Sequence, residues 1–282
     1  MTPSGITPVA KAVWFIETHL ADELSLAEVA AAAGVSRFHM ARVFGMATGQ
    51  SVMRYVRSRR LTEAARALAG GAPDILPVAL DAGYGSHDAF TRAFRDRFGL
   101  TPDRARAADV VATLSLTEAF AMDETPKTTL TPPRMVDGGP LLNAGLKEHI
   151  RFDNLAALPS LWNRFRPHLG TVPGQIGNVA YGVCFNTDEA EGFDYIAGVE
   201  VSDAAALPEE FAALRLTPQR YAVFTHALHI SAVRGTFMAI FNDWLPASGL
   251  QSADAAVFER YGEQFDAKTG LGGFEIWVPL KE

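Results

Sequence analysis

The 282-residue chain has a single cysteine, Cys184. A lone thiol excludes an internal disulfide and fits a reducing cytosol. No apolar run approaches the roughly 20 residues needed to span a bilayer, and no basic-then-apolar leader opens the chain. These absences point away from a membrane and towards the cytoplasm. There is no glycine-rich phosphate loop. His226 and His229 stand three apart on a strand-like stretch, which sends them to opposite faces, and no cysteine or carboxylate is placed to complete a metal site. Cys184 has no base beside it in sequence and reads as a buried structural thiol. No metal, cofactor or catalytic residue is therefore expected.

Lysine is also scarce where positive charge gathers. Residues 1–107 carry thirteen basic side chains, twelve of them arginine, against ten acidic ones; the remainder carries twelve against twenty-two, for a net charge of −7 overall. Arginine forms the forked contacts that phosphates and guanines accept. A basic half joined to an acidic half suits a DNA module tethered to something else. The length allows two domains of ordinary size, and an apolar content of 48% suffices for packed cores.

What is present is a repeat. Ser36, Met40, Arg42, Phe44 and Gly49 are answered by Ser86, Phe90, Arg92, Phe94 and Gly99. An Ala-x-x-x-Gly signal precedes each copy, Ala30 to Gly34 and Ala79 to Gly83. Each copy reads as helix, glycine turn, helix. Ser25 and Glu28 form a capping box, Gly34 ends that helix at positive φ, and Ser36 caps the next. Met40, Val43 and Phe44 face inward, leaving Arg37, Phe38, Ala41 and Arg42 on the open face. In the second copy Phe90, Ala93 and Phe94 point in while His87, Asp88, Arg92 and Arg95 point out. Between them Val52 to Leu68 forms an amphipathic helix bearing Arg54, Arg57, Arg59 and Arg60. Asp74 caps the second unit's first helix, and Thr101-Pro102 opens a closing one.

The ordered set Ala30…Gly34-Val35-Ser36, Phe44…Gly49, Arg60-Leu61-x-x-Ala64, Ala79-x-x-x-Gly83-Tyr84-x-Ser86-x-x-x-Phe90-x-x-x-Phe94 and Phe98-Gly99-x-Thr101-Pro102 resembles the AraC/XylS-type DNA-binding domain over residues 5–107. The resemblance implies an all-α domain whose two recognition helices enter successive major grooves of double-stranded DNA, about 34 Å apart. Arg42 and Arg92 would read guanine. Ser36, Phe38, Ala41, Ser86, His87 and Asp88 would lie at the same surface, with Arg37, Arg95 and Arg97 on phosphates. Asp88 repels phosphate, so it either accepts from a cytosine amine or makes an internal pair. Ala41 stands where many relatives carry a longer polar reader, and Ala105 where an aromatic is usual.

Residues 108–129 read as a linker, rich in Thr and Pro towards its end. Beyond it a second echo runs at offsets of 80 to 86: Thr131-Pro132 with Thr217-Pro218, Trp162 with Trp244, Tyr181-Gly182 with Tyr261-Gly262, and Gly192-Phe193-Asp194 with Gly273-Phe274-Glu275. Each copy reads strand, helix, strand, strand, giving an α+β domain of pseudo-twofold symmetry over 130–282. Phe193-Asp-Tyr-x-Ala-Gly198, Tyr221-Ala-Val-Phe-x-His226, Trp244-Leu-Pro246 and Phe274-Glu-Ile-Trp-Val-Pro279 make it resemble the GyrI-like small-molecule-binding domain, and the fusion resembles the Rob-type regulator architecture.

The resemblance implies an aromatic cleft in which a carboxylate on the last strand meets lipophilic cations; the matching position is Glu275. Strand alternation sets Trp277 beside it, a pairing apt for a cation. Tyr195, Tyr181 and Trp162 join the same cleft, with Glu200 as a second carboxylate. The reading is a DNA-binding regulator that senses a small apolar or cationic effector, as monomer or homodimer. Two alternatives stand beside it: a hydrolase or scavenger of a toxic molecule, and a second half that contacts RNA polymerase with its cleft collapsed.

Overall fold

The computed structural model describes residues 7–106, 111–120, 128–187 and 192–281. Among the described residues seven helices build the first half: α1 Pro8–Thr18, α2 Leu26–Ala33, α3 Arg37–Thr48, α4 Val52–Ala69, α5 Ile75–Asp81, α6 His87–Phe98 and α7 Pro102–Ala105. Their ends follow local chemistry. Ser25 and Glu28 close the capping box of α2, and Gly34 ends it at φ 76°. Ser36, Ser51, Asp74 and Ser86 each accept from an amide of the following turn. Pro102 opens α7, but Thr101 makes no side-chain cap.

The two helical units are held differently. In the first, Met40, Val43 and Phe44 are buried, and a polar clamp ties α1 to α4. Arg59 places Nε and Nη2 on the Glu17 carboxylate, which also accepts from Tyr55 Oη at 2.6 Å. Arg59 is 5% exposed because Glu17, Glu63 and the Thr117 carbonyl enclose it. In the second unit Phe90, Phe94 and Phe98 pack in a row, tilted against one another, with ring centroids at 5.4 and 4.8 Å.

Of the expected linker, 108–110 and 121–127 lie outside the described residues. The part between them is a strap on α4 and α6. Thr117 donates to Thr62, Phe120 donates to Tyr55, Glu118 pairs with Arg66, and Arg97 donates to Ser115 and Thr117.

The second half is one eight-stranded antiparallel sheet: β1 Arg134–Gly138, β2 Leu141–Arg151, β3 Gln175–Phe185, β4 Gly192–Val201, β5 Phe211–Leu216, β6 Gln219–His226, β7 Val257–Tyr261 and β8 Phe274–Pro279. The order is β1-β6-β8-β7-β3-β4-β2-β5. Exchanging β1–β4 for β5–β8 reverses this order onto itself, so the pseudo-twofold axis passes between β3 and β7. Each copy has a short arm strand, β1 or β5, that pairs with the other copy. Helix α8 (Ala157–Phe165) belongs to the first copy. The second has α9 (Val233–Met238), a π-helical stretch Ala239–Trp244 and α10 (Leu245–Ser248).

Two of the sequence echoes are not equivalent positions. Thr131-Pro132 precedes β1 whereas Thr217-Pro218 joins β5 to β6. Tyr181 and Tyr261 face opposite sides of the sheet, since their packing partners belong to different apolar clusters.

The helical half does not stand apart from the sheet. One apolar cluster runs from Val9 and Ile16 through Met40 and Phe44 into Phe237, Phe241 and Ile276. The seam is α3 laid on α9 and the π-helical stretch.

Candidate effector cavity and nucleic-acid interface

Alternation on β7 sends Val257, Glu259 and Tyr261 to the helix-covered side of the sheet and Phe258 and Arg260 to the other. Across the ladder Glu259 pairs with Gly182. A Cβ at Gly182 would meet Tyr195 Oη and Glu259 Oε2, so the glycine makes room for that contact. Tyr195 donates to Glu259 Oε2 at 2.6 Å and Tyr261 to the same oxygen at 3.0 Å. Trp162 Nε1 donates to Tyr195 Oη at 3.1 Å, and its ring meets Tyr261 edge-on at 5.1 Å.

These groups line a cavity of about 670 Å³ between α8, α9 and the sheet. Burial pushes the Glu259 carboxyl above its usual range, against the opposing pull of the two tyrosine hydroxyls and the Arg42 charge. Burial and the Glu259 charge push both tyrosines far above theirs. An aromatic cup around one partly buried carboxylate is chemistry for a delocalised cation: charge neutralisation plus ring attraction.

Two of the residues expected in the cleft, Tyr195 and Trp162, meet there. Glu275 and Trp277 do not. Their alternation on β8 is as expected, but the helices cover the other face, where Phe274, Ile276 and Val278 point. Glu275 is already neutralised by Arg134 at 2.5 Å and Arg260 at 3.4 Å, and accepts from Trp277 Nε1. Tyr181 and Trp277 pack with Phe258 and Tyr221 in an aromatic cluster on that face. Glu200 is also remote from the cup: its charge acts on Tyr181. Sequence reasoning missed Glu259. Its signal was a lone acid between Val257 and Tyr261 on the inward phase of a five-residue strand.

His226 is buried and bonded to Thr236 Oγ1 and the His229 carbonyl. Among the described residues no group of three His, Cys, Asp or Glu could hold a metal ion, and no helix is long and apolar enough to cross a membrane.

The two recognition helices differ sharply. On α6, Ser86, His87, Asp88, Arg92 and Arg95 are exposed. Asp88 lies 3.8 Å from His87 in the first turn, where a negative charge suits the helix dipole. Arg97, expected on phosphate, is instead engaged with the strap and stacked on Phe98.

On α3 the open face expected for Phe38, Ala41 and Arg42 is covered. Arg42 is 4% exposed and Ala41 3%. The Arg42 guanidinium lies 6.0 Å from the ring centroids of Phe38, Phe237 and Phe241, lines the cavity, and leaves its buried Nη1 without a hydrogen-bond partner. Its charge acts on Cys184 and Glu259. Burial pushes the Cys184 thiol up to about 11. His39 is bonded through Nε2 to the Phe241 carbonyl at 2.9 Å, and burial lowers it to about 4. Arg234 of α9 donates to the Ala47 carbonyl. Gly45 sits where a Cβ would strike the Phe152 ring. Ser36 stays a cap, and Arg37 is exposed.

Comparison with known proteins agrees with both halves. Residues 131–281 match the GyrI-like small molecule binding domain and residues 29–108 a helix-turn-helix domain. Over 272 residues the chain is 30% identical to the transcriptional regulator Rob of Salmonella typhimurium, covering 92% of this chain and 91% of that one. Over 269 residues it is 28% identical to the right origin-binding protein of Escherichia coli K12, with the same shares covered.

Proposed function

We propose, for a chain that belongs to the family of transcription regulators joining an AraC-type helix-turn-helix domain to a GyrI-like small molecule binding domain, that its effector is a lipophilic cation seated on Glu259 between Trp162, Tyr195 and Tyr261. The observation that carries this reading is the convergence of two tyrosine hydroxyls on one partly buried carboxylate inside an aromatic cavity. Buried charges are costly unless paired; a cation supplies the missing partner and the rings supply apolar contact. The cavity is open, which disfavours a second half that works with its cleft collapsed.

On the DNA side, α6 reads bases through Arg92, with His87 and Asp88 beside it and Arg95 on phosphate; α3 contributes Arg42 once its face is free. Two heads on one chain let a monomer grip adjacent turns. The compartment is the cytoplasm, where the DNA is, and RNA polymerase is the protein such a regulator meets at a promoter. The cup senses and does not turn its ligand over.

Calorimetry on the full chain with tetraphenylphosphonium, a rigid delocalised cation, tests the seat. Binding should be stoichiometric, without product, and at least tenfold weaker in Glu259→Gln. Equal affinity in that variant would remove Glu259 from the site, and appearance of a hydrolysed ligand would favour the enzyme reading.

A further inference from the structure

We propose that Arg42 is a removable wall of the effector cavity: a cation seated on Glu259 expels the Arg42 guanidinium, and with it the first recognition helix, so effector binding frees that helix for DNA. This rests on the reading of Glu259 as the cation seat and adds what the seat controls.

Three observations carry it. First, the cavity already contains a cation that belongs to the other half of the molecule. Arg42 is 4% exposed, its Nη1 is buried without a partner, and no carboxylate is within ion-pairing distance among the described residues. Its charge nonetheless acts on Glu259. A second positive charge brought to the same carboxylate meets Arg42 across a space of low dielectric, where like charges repel strongly. The incoming cation gains the rings and the acid; Arg42 loses part of the Glu259 field.

Second, what holds Arg42 in place is separable. The α3 helix is fixed to the sheet half by the apolar cluster that Met40 and Phe44 share with Phe237 and Phe241, one histidine–carbonyl bond, one arginine–carbonyl bond, the Arg42 contacts with the phenylalanines and the Cys184 thiol, and the close fit of Gly45 on Phe152. None is a buried ion pair.

Third, the covered face is the one that matches the exposed face of α6. Arg42 and Arg92 are the repeated arginines of the two copies, yet one is sealed in the cavity and the other stands in solvent. Arg42 cannot line the cavity and reach a base edge at once. The two occupancies exclude each other, so coupling between effector and DNA is reciprocal. The sign of the ligand's charge then decides the direction. A cation drives Arg42 out, whereas an anion of the same shape would satisfy the unpartnered Nη1 and hold α3 in.

The test uses the full chain, a fluorescent duplex enriched from a random pool by the chain itself, and two isosteric probes, tetraphenylphosphonium and tetraphenylborate. Saturating tetraphenylphosphonium should raise duplex affinity at least about fivefold, the lower end of ordinary allosteric couplings, and tetraphenylborate should not raise it. Arg42→Met keeps the apolar stem and removes the charge; it should bind tetraphenylphosphonium about tenfold tighter than the wild type. Arg234→Ala lies outside the DNA-reading surface and loosens the seam; it should raise effector-free duplex affinity. Unchanged or reduced duplex affinity with bound tetraphenylphosphonium overturns the proposal, as does an Arg42→Met affinity equal to wild type. A Glu259→Gln chain that binds the cation as tightly as wild type is a different failure: it removes the seat on which the proposal rests.

Discussion

The two helix-turn-helix copies share a sequence pattern and local fold but not a situation. Each has a serine-capped recognition helix that ends on a left-handed glycine and buries the same phenylalanine phase. The second helix leaves Arg92 and Arg95 in solvent, while the first gives Arg42 and His39 to the sheet domain. Motif identity therefore fixes what a helix is built to do, and packing decides whether it can do it in a given state. The asymmetry is specific: one recognition helix stands in solvent, and the other is packed against the wall of the cavity.

The comparison can be broken first at what holds each head. The first unit adds a buried polar clamp to its apolar core, and the second a row of tilted rings. Glu17→Ala removes the bonds from Arg59 and Tyr55 to that carboxylate but leaves Arg59 its bonds to Glu63 and the Thr117 carbonyl, so it should cost about 1.5–3 kcal/mol, the worth of a hydrogen bond to a charged group, read as a fall in melting temperature. A loss below about 1 kcal/mol would show that the clamp is not what holds α1 to α4. The clamp also has a pH sign. Burial alone would raise Glu17, but the bonds from Arg59 and Tyr55 outweigh it and lower it. Its contribution is thus present above the ordinary carboxylate value of 4.5 and is lost as pH falls through the lowered value.

The next effect sharpens the asymmetry itself. In effector-free protein Arg92→Ala should weaken duplex binding by about 1–3 kcal/mol, the worth of one forked base contact. Arg42→Ala should cost clearly less, because it also removes a group that holds α3 on the sheet domain. Equal losses, measured by fluorescence anisotropy, would make the two heads equivalent.

Cation binding should depend on pH through Glu259. Its carboxyl is raised by burial and must ionise to accept a cation. Affinity for tetraphenylphosphonium should fall about tenfold per unit below the raised value and level off above it. A flat profile from pH 5 to 8 together with unchanged binding by Glu259→Gln would exclude the carboxylate.

The smallest effect comes from His39. On the sheet domain it is held neutral, down to about 4; free in solvent it titrates near 6.5. The docked state binds fewer protons, so docking is complete above 6.5 and weakens as pH falls from there towards 4. Duplex affinity relative to the His39→Gln variant should rise several-fold, at most about tenfold, between pH 7.5 and 5.5. An identical pH profile in the two proteins would take His39 out of the seam.

The helical half was legible because its signals are local. Ser25 with Glu28, Gly34, Gly49, Gly99 and the phase of Met40, Val43 and Phe44 each specify a cap, a stop or a buried face within one or two turns. The sheet half was legible as a duplication, but its arm strands β1 and β5 are short and gain meaning only from pairing with the opposite copy. The resemblance points Glu275 into the cleft, and alternation does not correct it, because it gives two faces without saying which one the helices cover; Arg134 and Arg260, remote in sequence, neutralise it. Glu259 was overlooked because Val257–Tyr261 is too short to show a period and carries charge on both faces. Docking of α3 leaves only one trace in the sequence, Gly45 in a helix interior, where glycine costs about 1 kcal/mol relative to alanine and marks a close approach.

Cys184 reports the central claim without any engineered label. It is the chain's only cysteine, buried in the cavity wall where the Arg42 charge acts on it. Its alkylation rate by a small thiol reagent, measured with and without a saturating duplex, reads whether DNA and docking exclude each other. Exclusive states predict a rate that rises several-fold on DNA, as α3 leaves and opens the cavity. A rate that stays constant or falls would mean that the chain binds DNA with α3 still seated on the sheet domain.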